Sequence, residues 1–127
     1  MNEQKEYISQ MRENGALHIS EDVLASIAGI TVSEIDGVAL PGSGFGAEIA
    51  DILGKKNLGR GIRITISEEN EITVDCAIVV EIGFSIVDIC KNVQEAVSDN
   101  IENVTGFRVS AVNVTVAGVA LPKENKK

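Results

Sequence analysis

The chain has 127 residues, 44% apolar and 24% charged, with a formal net charge of −8. That is enough apolar matter for one packed core without disulfide or metal support, and the acidic balance opposes a phosphate backbone, so DNA is excluded as an expected partner and RNA is disfavoured. With one His, no Trp and two Cys, and no Ser/His/Asp, Cys/His or metal-ligand spacing, the residues predict no catalytic group, no metal site and no cofactor.

Cys76 and Cys90 each sit inside an apolar run. Thiols in such runs behave as small hydrophobes, and a single pair is too sparse for a secreted disulfide framework. The opening MNEQKEYISQMRENG has no apolar stretch behind a basic segment, so it does not read as a signal peptide. No uncharged run of about 18 residues is present, so no transmembrane segment is expected. A reduced, cytoplasmic setting follows.

In chain order, residues 1–14 are polar and read as a flexible tail. Residues 16–19 alternate as a short strand. Ser20 is an N-cap, with Glu21 and Asp22 suited to the positive end of a helix. Val23, Leu24, Ile27, Ala28, Thr31 and Ile35 recur at helical spacing, and that helix should stop near Asp36-Gly37. Residues 37–61 are glycine-rich and read as a loop holding one short helix, Ala47-Glu48-Ile49-Ala50-Asp51-Ile52-Leu53, closed by Gly54.

Two alternating runs follow. Ile62, Ile64 and Ile66 come first, then Ile72, Val74, Cys76, Ile78, Val80 and Ile82, joined across Glu68-Glu69-Asn70, which predicts an antiparallel hairpin. Ser85 caps the strongest helix, whose Ile86, Ile89, Cys90, Val93, Ala96, Val97 and Ile101 form a continuous stripe, ended by Gly106. The last strand changes phase between Val109 and Val112, which predicts a β-bulge at Ser110-Ala111.

The predicted order is β-α-β-β-α-β in one domain over residues 15–122, with a basic tail at 123–127. The fold class is α+β, a mostly antiparallel sheet with two main helices on one face. The other face would display Arg63, Thr65, Asp75, Ala77, Val79, Glu81, Asn113 and Thr115.

Several motifs invite chemistry and lose to simpler readings. Gly42-Ser43-Gly44-Phe45-Gly46 resembles a phosphate cradle but follows a helix, whereas such cradles join a strand to a helix. Gly54-Lys55-Lys56-Asn57 resembles a KH loop but has Asn57 where glycine is needed, and no aromatic platform accompanies it. Lys55, Lys56, Arg60 and Arg63 remain the one basic cluster of the domain, the candidate site for RNA or another anion. Glu68, Glu69, Asp75 and Glu81 are not paired by pattern as acid–base work requires and read as solvated surface. His18 has no second ligand and reads as a surface residue. Ile49, Ile52 and Leu53, on one side of the short segment, are the candidate partner-binding residues, together with Ala77 and Val79 of the open sheet face.

The segments HISEDVLASIAGITVSEIDGV, GFGAEIADILGKKNLGRGIRI, VDCAIVVEIGFSI and VTGFRVSAVNVTVAGVALP together resemble the alkaline-shock protein family, the envelope stress response proteins of Gram-positive bacteria. The resemblance spans about residues 16–122. Family members often carry an aromatic residue near Cys76-Ala77 and after Glu81, and this chain has neither.

The resemblance implies a non-enzymatic cytoplasmic protein that supports cell-envelope homeostasis under alkaline or envelope stress. It implies protein partners, for some members a small membrane-anchored protein, and allows a homo-oligomer. It supplies no catalytic residues. The expected function is therefore an interaction or scaffold protein. The alternatives are an RNA or anionic-ligand module built on Lys55, Lys56, Arg60 and Arg63, and a regulator that docks on a metabolic enzyme.

Overall fold

The computed structural model describes residues 6–39 and 61–121. Their elements are β1 (Tyr7–Arg12), β2 (Gly15–Ser20), α1 (Glu21–Ser33), β3 (Val38–Ala39), β4 (Ile62–Ile66), β5 (Ile72–Glu81), α2 (Ile86–Thr105) and β6 (Val109–Ala120). The class is α+β, as the residue pattern implied.

β5 is the central strand. β6 pairs with it along its whole length, from Ile72↔Val109 to Glu81↔Ala120. The opposite edge is shared by β4, which covers Ile72 to Cys76, and β3, which covers Val79 and Val80. Ile72, Val74, Cys76, Ile78 and Val80 point to one face, as strand alternation requires. There they meet Leu24 and Ala28 of α1 and Ile89, Val93, Val97 and Ile101 of α2 in a single core. Both helices therefore lie on one side of the sheet.

The helix boundaries follow their caps. Ser20 accepts from the Val23 amide at 3.3 Å, and Ser85 accepts from the Asp88 amide at 3.3 Å. α2 ends at Gly106, which adopts φ 84° as a left-handed cap. On α2 the buried stripe is Ile89, Val93, Val97 and Ile101; Ile86, its predicted start, is exposed. On α1 the buried face is Leu24, Ala25, Ala28, Thr31 and Val32, rotated so that Val23 turns outward. α1 also ends earlier than expected, at Ser33.

Side-chain hydrogen bonds tie the layers together. Asn100 Nδ2 donates to Thr31 Oγ1 at 2.9 Å, linking α2 to α1. Gln94 Nε2 donates to the Val112 carbonyl at 3.0 Å, linking α2 to β6.

Two expectations are corrected. Residues 1–14 are not wholly a tail: β1 pairs antiparallel with β2 from Tyr7↔Ser20 to Arg12↔Gly15, in a sheet separate from the main one. Only Ile8 of β1 enters the core, at 0% exposure, so the strand carries too few inward apolar residues to show a period. Its support is backbone pairing, a Glu21 amide bond to the Glu6 carbonyl at 2.8 Å, and Asn70 Nδ2 donating to the Ser9 carbonyl at 3.1 Å. The two-residue turn falls at Glu13-Asn14, between the paired Arg12 and Gly15.

The second is β3, a two-residue strand at the start of the region read as loop. Within the mostly antiparallel sheet, β6 runs parallel to β5, because α2 carries the chain back before it enters the sheet.

The β-bulge stands: Ile72 pairs with Val109 and Thr73 with Ala111, which leaves Ser110 as the extra residue. A second shift leaves Ala117 extra between Val116 and Gly118.

Candidate interaction surface

The sequence-derived candidates separate on the structure. Ile49, Ile52, Leu53, Lys55, Lys56 and Arg60 lie outside the described residues. Arg63 is exposed on β4, directly across from Asp75. Asp75 in turn accepts from Asn113 Nδ2 at 3.0 Å. Arg63, Asp75 and Asn113 thus form one polar row across three strands.

Ala77 and Val79 were expected on an open, adhesive face. They are instead 3% and 2% exposed and pack with Ala39 and Ala120. Both stand on the central strand, with β6 along one edge and Gly61 or β3 along the other. That face therefore offers a polar row and a buried patch of small residues, and neither is an accessible apolar surface.

His18 lies on the exposed side of the β1–β2 hairpin. Its Nδ1 shares a hydrogen bond with Ser9 Oγ at 2.7 Å, and the Tyr7 ring meets it edge-on at 6.5 Å. Among the described residues no group of three or more His, Cys, Asp or Glu could hold a metal ion. No described helix is long and apolar enough to cross a membrane.

Both cysteines are free thiols. Burial, with a smaller contribution from the neighbouring Asp75 carboxylate, pushes the Cys76 thiol from an ordinary value of 9.0 up to about 12. Burial also raises Cys90. Each is the less reactive for it, since the thiolate is the nucleophile.

The unfolded chain loses the Cys76 proton first, so the unfolded state binds fewer protons and stability falls as pH rises above 9.0 toward 12. The slope from this one group is about 1.4 kcal/mol per pH unit. Denaturant melts at a series of alkaline pH values should show a shallower decline for Cys76→Ala than for wild type. Parallel declines would show that the thiol keeps its proton no longer in the folded state than in the unfolded one.

An accessible apolar surface exists at one end of the fold, where β5 and β6 finish, α1 finishes and α2 begins. Ile82, Phe84, Ile86, Val87, Val119 and Leu121 are all large, apolar and between 44% and 75% exposed. The Ile82 amide donates to the Ala120 carbonyl at 2.9 Å, which places the β5 exit beside the β6 exit. Ile86 and Val87 open α2 just beyond Ser85.

Phe84 is seated against the backbone of Gly37, a buried residue at φ 95°. A Cβ there would come within 2.9 Å of the Phe84 ring and 2.7 Å of Ile89 Cδ1. Exposed side chains of this size gathered at one end mark a candidate contact site. Sequence reading missed the cluster because Ile82, Val119 and Leu121 look like ordinary strand residues. Only the end-to-end alignment of β5 and β6 leaves them uncovered.

The alkaline shock protein family, described as having a cell envelope-related function, matches this chain over residues 9–121. The chain is 32% identical over 105 residues to the uncharacterized protein YqhY of Bacillus subtilis, covering 83% of this chain and 77% of that one. It is 32% identical over 117 residues to the uncharacterized protein Spy1614 of Streptococcus pyogenes, covering 89% and 94%. It is also 32% identical over 109 residues to the uncharacterized protein YloU of Bacillus subtilis, covering 83% and 88%. No solved structure matches the chain. Since the family match runs from β1 to the end of β6, the chain belongs to the alkaline shock protein family, with its cell envelope-related function.

Proposed function

We propose that the protein is a non-enzymatic interaction or scaffold protein that supports envelope homeostasis under alkaline or envelope stress from the cytoplasmic side. The observation that carries this reading is the apolar end formed by Ile82, Phe84, Ile86, Val87, Val119 and Leu121. Six side chains of this kind at one end suit adhesion to another protein, and their burial on docking would supply the driving force. A small membrane-anchored protein is the partner the family resemblance favours.

The test is cross-linking in cells, read by mass spectrometry, together with survival after an alkaline shift. Phe84→Ser/Leu121→Ser should lose the cross-linked partners and the survival advantage while its far-UV spectrum and melting curve stay near wild type. Wild-type survival and partner recovery would remove this end from the function. Ile52→Asp/Leu53→Asp tests the segment suspected from sequence in the same assay, and unchanged recovery there would restrict the interface to the end described here.

A further inference from the structure

We infer that the apolar end takes a protein segment whose apolar anchors are flanked by lysines or arginines. This rests on the interaction reading above and specifies the partner's chemistry.

Among the described residues the charge around the patch is acidic. Glu34 and Asp36 follow α1, Glu81 closes β5, and Asp88 sits in the first turn of α2. These residues come to the patch from three elements. The Glu81 amide donates to the Gly37 carbonyl at 2.8 Å, which puts Glu81 beside the Asp36-Gly37 turn and hence beside Phe84. α1 also directs its carbonyl end here and has no basic residue in its last turn, so the helix adds negative potential.

The α2 N-terminus brings positive potential, but Ser85 caps it and Asp88 lies over it. Among the described residues the cation of this end is Lys91, one turn along α2 from Val87. An apolar patch with an acidic rim selects by charge as well as by shape.

The same rim argues against two other occupants. A second copy would bring its own Glu34, Asp36, Glu81 and Asp88 against these, and like charges in register suppress pairing. A bilayer of anionic lipid would be repelled at the rim before the apolar residues could insert. A segment with apolar anchors and basic flanks satisfies both parts of the surface.

The test uses the full chain and two synthetic helical peptides with identical Leu and Phe anchors, one flanked by Lys and one by Glu. Fluorescence anisotropy should show the Lys peptide binding at least about tenfold tighter at low salt, with the gap closing as added salt shortens the screening length. Ile82→Ser and Leu121→Ser should each weaken the Lys peptide about tenfold. Asp36→Asn/Glu81→Gln should narrow the gap between the peptides while the anchors still bind.

Equal binding of the two peptides, or binding of neither, would overturn the proposal. So would concentration-dependent dimerisation in light scattering that Ile82→Ser abolishes, or flotation with phosphatidylglycerol vesicles that Leu121→Ser abolishes. If the peptides fail while Phe84→Ser/Leu121→Ser still loses its partners in cells, only the partner's chemistry is wrong. If survival and partners are unchanged in cells, the interaction reading itself falls.

Discussion

Gly37→Ala should destabilise the protein by about 1–5 kcal/mol, since left-handed backbone strain of about 1–2 kcal/mol adds to crowding of about 1–3 kcal/mol. The smaller entropy of the unfolded alanine chain returns about 0.4–1 kcal/mol. Gly37 holds φ 95°, and the new methyl would lie 2.7 Å from Ile89 Cδ1 and 2.9 Å from Phe84 Cδ2 and Cγ. Phe84 is partly exposed and can swing toward solvent, whereas Ile89 is 2% exposed and can move only into packed core.

Two consequences are separable in urea melts and in binding. Stability falls, and the Phe84 ring leaves its seat in the apolar end. Ile89→Val removes the closest atom, so Gly37→Ala should cost less in that background, a coupling expected of residues in contact. A loss below about 1 kcal/mol with an unchanged m-value would mean that the turn relaxes freely and that Phe84 is not held by it.

Ile89→Ala is expected to cost about 2–5 kcal/mol, the range for an aliphatic side chain removed from a core that cannot collapse. Ile89 begins the four-residue stripe of α2, and its neighbours Val93, Val97 and Ile101 are each 0% exposed. α2 is fixed to β6 by Gln94, to α1 by Asn100 and to the start of β6 by Glu102, which accepts from the Val109 amide at 3.1 Å. These ties limit how far the helix can sink into the cavity, so the cost should lie in the upper part of the range. Guanidinium or urea melts read it directly, and a change under about 1 kcal/mol would contradict the burial of this stripe.

The two variants bear differently on the interaction surface. Ile89→Ala empties the core beneath the start of α2, while the exposed residues of the apolar end keep their chemistry. Peptide binding measured well below its melting temperature should therefore survive in Ile89→Ala and weaken in Gly37→Ala. Equal weakening in both would indicate that the end is held by general core stability and not by the Gly37–Phe84 contact.

Much of the fold was legible in the residues because its signals are local. Ser20 and Ser85 mark helix starts, Gly106 marks a helix end, and the isoleucines of β4 alternate with Arg63 and Thr65. Even the bulge at Ser110 shows as a phase change between Val109 and Val112. The N-terminal hairpin was obscured because β1 buries only Ile8, and the direction of β6 because a strand's own sequence does not state whether its neighbour runs with it or against it.

The candidate surface was less legible. Ala77 and Val79 belong to the outward phase of β5, and from sequence alone an outward phase reads as exposure. In the fold they are buried and packed with Ala39 and Ala120.

By itself the sequence settled where both helices begin, where α2 ends, and that the chain is α+β, because caps, turn residues and periodicity act over a few neighbours. Tertiary structure alone decided that β6 lies parallel along β5, that Ala77 and Val79 are covered, and that Ile82, Phe84, Val119 and Leu121 come together uncovered at one end. Exposure belongs to what neighbouring elements do or fail to cover, and those neighbours are brought in by pairings between residues dozens of positions apart.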